Sequence, residues 1–114
     1  MNQEARANSK VGITEPQSGR VVVTGELTFA SARDARQLGM QVLESSRADR
    51  IVLDCSAVTK ADSAGLAVLL DWLAWGRRKS RPLSLEKLPV SLLAIARISE
   101  VDGILLPGVA PAGG

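Results

Sequence analysis

The sequence predicts an α/β fold: a mostly parallel central sheet of about four strands with three or four helices. Three observations carry this. Short apolar or β-branched runs alternate with longer stretches of three-and-four apolar spacing, in the order β-β-α-β-α-β-α. The chain has 114 residues and is 46% apolar, enough for one core. Neither a linker nor a repeat divides it, so one domain is expected over 11–106. A polar arm precedes it at 1–10, and a tail rich in Gly, Pro and Ala follows at 107–114.

Each element has its own signal. Val11 to Thr14 reads as a short strand, followed by a turn at Pro16-Gln17-Ser18-Gly19. Arg20 to Thr24 is a β-branched run that Gly25 is expected to end. Thr28 is placed to cap a helix reaching about Ser45, with Phe29, Ala32, Ala35, Leu38, Gly39, Val42 and Leu43 on one stripe. Ile51 to Leu53 reads as a buried strand with Asp54 at its end, and Ser56 to Ala61 as a loop. A helix from about Ser63 to Lys79, capped by Asp62 or Ser63, is broken at Arg81-Pro82. Leu83 to Leu85 is the next strand, Pro89 opens a helix to about Ile98, and 101–106 forms a last short element.

The helix after Asp62 carries more apolar surface than one contact face can use. On a wheel, Leu66, Leu69, Leu70 and Leu73 form one stripe, while Ala64, Gly65, Val68, Trp72 and Trp75 lie nearly opposite. Asp71 is its single charge between Ser63 and Gly76. The second face needs a covering: a neighbouring helix or the C-terminal segment, or a protein partner seated on the two tryptophans. The small residues at 63–65 leave the helix start open to a ligand, a phosphate or a partner backbone, or serve tight packing alone.

Composition removes much chemistry. With no His, one Cys and no phosphate-binding or nucleophile-elbow motif, no catalytic residue, metal ligand or cofactor is expected. Asp54 and Asp62 flank one segment, but turn and cap roles suit them better than a metal. Cys55 reads as a small buried hydrophobe in a reducing compartment. Arg77, Arg78, Lys79 and Arg81 form one local cluster in a chain of net charge +2, so no nucleic-acid-binding field is expected. A solvated helix end, an acidic partner or anionic headgroups would each account for that cluster. The longest apolar run, Ala64 to Leu70, falls far short of the roughly 20 residues that span a bilayer.

Val23-Thr24-Gly25-Glu26-Leu27-Thr28-Phe29-Ala30-Ser31-Ala32, then Ile51-Val52-Leu53-Asp54-Cys55-Ser56, then Ala61-Asp62-Ser63-Ala64-Gly65-Leu66, resembles the STAS domain family. That family includes bacterial anti-sigma factor antagonists. Asp62 to Leu70, Arg81-Pro82-Leu83, Leu88-Pro89 and Leu92 to Arg97 look most like its MlaB-like branch. Members of that branch are small STAS subunits of Mla-type phospholipid-transport ABC complexes.

The resemblance implies a non-catalytic cytoplasmic protein, peripheral to the inner membrane through its complex. It would bind and stabilise or regulate an MlaF-like ATPase, beside permease and periplasmic lipid-binding subunits, in maintaining outer-membrane lipid asymmetry. The alternative it implies is an anti-sigma factor antagonist switched by phosphorylation at Ser63. Ser63 matches the family's Ser/Thr at the partner interface, and Asp62 the acidic residue before it. Ala64 stands where sigma regulators often have Ser or Gly. With the wheel argument, the expected partner-binding residues are Lys60, Asp62, Ser63, Ala64, Val68, Trp72 and Trp75.

Overall fold

The computed structural model describes residues 10–98. Its elements are β1 (Val11–Gln17), β2 (Arg20–Leu27), α1 (Ala32–Ser45), β3 (Ile51–Ala61), α2 (Ser63–Arg78), β4 (Leu83–Glu86) and α3 (Val90–Ile98). The strands lie side by side in sequence order. β1 is antiparallel to β2, and β2, β3 and β4 run parallel. This is the expected α/β architecture. Of the residues expected in the arm, only Lys10 is described, while the element expected at 101–106 and the tail lie outside the described residues.

Strand order dictates where the helices go. Each parallel crossover steps one strand further in the same direction, and right-handed crossovers then place successive helices on the same face. Burial follows this rule. Val11, Ile13, Val21, Val23, Ile51, Leu53 and Leu85 are buried beneath the helices. Thr14, Thr24 and Ser84 on the reverse face are exposed, with Val22 and Val52 half-buried between them. Across that reverse face Arg20 reaches Asp54 at 2.8 Å and Glu86 at 3.0 Å, tying β2, β3 and β4 together.

The central helix is α2. It packs against the sheet, α1 and α3, leaving Ser63, Ala67 and Asp71 as an exposed stripe. Leu66, Leu69 and Leu73 are buried as expected, and so are Val68, Trp72 and Trp75. A tryptophan face needing an outside partner is therefore corrected: this chain's own helices cover it. Trp72 is fully buried and lies so close to Gly39 of α1 that a methyl group there would overlap its indole. The arginine of the Arg81-Pro82 break lies over the Trp75 ring, 5.7 Å from its centroid. Outside, Asp71 pairs with Arg36 of α1 at 2.7 Å.

Four local boundaries differ from expectation. β1 runs on past Thr14 to Gln17, which pairs with Arg20, so only Ser18 and Gly19 form the turn. β2 does not stop at Gly25; that residue takes a φ of +84°, a register shift follows, and the strand continues to Leu27. Residues 56–61 are strand, because β3 pairs with β2 up to Leu27–Ala61. Thr28 does not cap α1, which starts at Ala32 after Ser31. Phe29 consequently stands outside the helix, 85% exposed instead of on its inner stripe.

Candidate functional site

The site is built where β2 and β3 end beside each other. Asp62 follows the last residue of β3 and is the N-cap of α2. Its Oδ1 accepts from the N–H groups of Ala64 at 2.9 Å and Gly65 at 3.2 Å. Its Oδ2 accepts from the N–H of Phe29 at 3.0 Å. One carboxylate thus starts the helix and fixes the β2–α1 loop against it. The Asp62 N–H donates to the Leu27 carbonyl at 3.1 Å, reinforcing the same junction from the backbone. The Phe29 N–H, followed by those of Gly65 and Ala64, holds the Asp62 carboxyl below its usual range despite partial burial.

The neighbours of Asp62 explain the rest of the motif. Gly65 packs on the end of β2, where any Cβ would overlap the Leu27 carbonyl. The Phe29 loop is also held from within: Ser31 Oγ accepts from the Thr28 N–H at 3.0 Å and bonds to the Glu26 carbonyl. Ser63, at the first position of α2, is exposed, as are Lys60, Phe29 and Ala30. An apolar ring and a hydroxyl thus project from a loop and a helix start whose backbones are both pinned.

Of the seven expected partner-binding residues, four belong to this end: Lys60, Asp62, Ser63 and Ala64. Val68, Trp72 and Trp75 are interior and contribute packing instead of contact surface. Phe29 was the residue missed. Its signal was present in the sequence, as the single phenylalanine of an aromatic-poor chain one turn before a helix. Its apolar spacing happened to match the inner stripe of α1.

The remaining reactive groups have structural partners. Asp54 Oδ1 accepts from the Ser56 N–H at 2.9 Å; the Ser56 hydroxyl, followed by that N–H and with Arg20 assisting, lowers its carboxyl from 3.8 to about 2. Burial pushes the Cys55 thiol up to about 12, leaving it protonated and a poor nucleophile at neutral pH. Among the described residues no group of three or more Cys, Asp or Glu is placed to hold a metal ion. None of their helices is long and apolar enough to cross a membrane.

At the opposite end of α2, Arg81 reaches back to the end of α1. Its guanidinium donates to the carbonyls of Leu43 at 3.3 Å, Ser46 at 2.8 Å and Ala48. One member of the basic cluster is therefore a staple, whereas Arg77, Arg78 and Lys79 are exposed.

A family model described as "Mlab, STAS domain" matches residues 13–107. The chain belongs to the MlaB-related STAS family. Its STAS fold is similar to a solved structure of the anti-sigma factor antagonist SpoIIAA in its unphosphorylated form. That match has a TM-score of 0.65 and 12% identity, and it covers 90% of each chain. No curated protein matches the sequence. The STAS signature Asp62-Ser63-Ala64-Gly65 occupies the junction just described, with its aspartate as clamp and its glycine as contact point between α2 and β2.

Proposed function

We propose that this STAS domain is a non-catalytic docking subunit of an Mla-type phospholipid-transport ABC complex. On this reading it binds the cytoplasmic ATPase and stabilises or regulates it, in support of outer-membrane lipid asymmetry. The surface used is the pinned end that carries Phe29, Lys60 and Ser63. The observation that carries the reading is Phe29: 85% exposed, yet held by its backbone to Asp62. A large ring on a fixed backbone binds with little ordering cost, which suits a hot-spot anchor. The MlaB-related family match supplies the choice of partner.

The test is co-purification of the tagged chain with the ATPase of the same operon. The wild type should retain the ATPase, whereas Phe29→Ala and Ser63→Glu should each lose it while staying folded. A folded chain that never retains an ATPase would refute the reading. The second reading, a phospho-switched anti-sigma factor antagonist, is favoured by the exposed Ser63 on a SpoIIAA-like fold. It requires that a cognate kinase and ATP modify Ser63. An unmodified chain after such incubation counts against it.

A further inference from the structure

The end of the molecule opposite the STAS signature has a charge pattern that docking through Phe29 does not use. Arg47 and Arg50 on the α1–β3 loop, and Arg77, Arg78 and Lys79 at the end of α2, are all exposed. Arg81 joins these two segments through the carbonyls of Leu43, Ser46 and Ala48, so the five cations share one end. Its own partners are neutral. Among the described residues, the carboxylates on or bonded to these segments are Glu44 and Asp49, both exposed, and Glu15, which accepts from the Gly19 N–H and Ser46 Oγ. Six cations thus meet three acids here, while the other described residues have seven cations against six acids. The positive excess of the described residues is concentrated at this end.

We propose that this basic end binds anionic phospholipid surfaces. A protein partner would need apolar anchors at the centre of its contact, and among the described residues the large exposed apolar ones, Phe29, Val90 and Ile98, all lie off these two segments. Proteins that grip nucleic-acid phosphates combine Arg and Lys with backbone N–H groups and helix N-termini. This end instead presents the C-termini of α1 and α2. What remains is attraction between exposed cations on two segments and an extended anionic plane, acting over a Debye length of about 10 Å at moderate salt. Bound end-on, the 16 residues of α2 would hold Ser63 about 24 Å from the lipid, clear for its protein partner.

Co-sedimentation of the full chain with vesicles tests this. Binding is expected to vesicles of phosphatidylcholine mixed with phosphatidylglycerol, absent from phosphatidylcholine alone, and lost at high salt. The triple variant R77Q/R78Q/K79Q should weaken partitioning about tenfold or more. R47Q/R50Q, on the other segment, should weaken it in the same sense, and Phe29→Ala should leave it unchanged. Equal binding to neutral vesicles, full binding by both multiple variants, or tighter binding to duplex DNA or an acidic polypeptide in the same buffer would overturn the proposal. Any of these would leave the docking reading standing, because that reading rests on the other end.

Discussion

The two ends of α2 solve one problem with opposite charges. At its start an anion, Asp62, gathers three backbone N–H groups from α2 and the β2–α1 loop. Beyond its finish a cation, Arg81, gathers three backbone carbonyls from the end of α1 and the following loop. Each complements the helix dipole beside it. They differ in what they leave outside. The Asp62 end displays one ring and one hydroxyl on fixed backbone; the Arg81 end displays only charge. Shape-specific recognition suits the first and diffuse electrostatics the second.

Breaking the staple should have the larger effect on stability. Arg81→Met keeps an apolar stem over Trp75 but leaves three carbonyls without their donor. A loss of about 1–3 kcal/mol is expected, read as a lower urea midpoint. Asp62→Ala removes the cap and should cost about 0.5–2 kcal/mol. Asp62→Asn sharpens the dissection: the amide keeps an acceptor for α2 but places a donor near Phe29. A smaller stability loss with a more protease-sensitive 28–31 loop is expected. The two ends are far apart, so Arg81→Met and Asp62→Ala should add within about 0.5 kcal/mol.

Acid separates the ends differently. Asp54 and Asp62 have lowered carboxyl pKa values, so their stabilisation is complete above the ordinary carboxylate range and fades as pH falls. For Asp54 the loss spans 3.8 down to about 2. The Arg81 staple holds neutral carbonyls and involves no carboxylate. Denaturation followed against pH should therefore show a steeper acid loss in the wild type than in Asp54→Asn, and an unchanged slope in Arg81→Met. The smallest stability effect belongs to Phe29→Ala, within about 0.5 kcal/mol, since the residue is 85% exposed. Its effect should appear in partner retention alone.

The helices and strands of the covered face were legible because burial leaves a period in the sequence. Val21, Val23, Ile51 and Leu53 point inward at strand spacing, and α1 keeps its stripe through Ala35, Gly39 and Leu43. Asp62 was legible as a cap for a local reason: its partners lie two and three residues onward. Residues 56–61 were not, because their ladder runs to a strand over thirty residues away and only Val58 among them is buried. The burial of Trp72 and Trp75 was hidden because a wheel displays faces without counting neighbours, and α2 has a helix on each side. Arg81 looked like part of a solvated run for the same reason: its carbonyl partners lie 33 to 38 residues back along the chain.

The placement of the two tryptophans also gives the protein a built-in optical probe. With no tyrosine in the chain, its near-ultraviolet emission arises from α2 alone. Both indoles are buried, and neither ring N–H has a hydrogen-bond partner. The emission should therefore be blue-shifted in the folded state and move to the red as water enters. Trp72 reports the seam with α1, and Trp75, beneath the Arg81 guanidinium, reports the stapled end. Loosening of either contact can be followed on the unlabelled chain, by light from the helix that joins its two pinned ends.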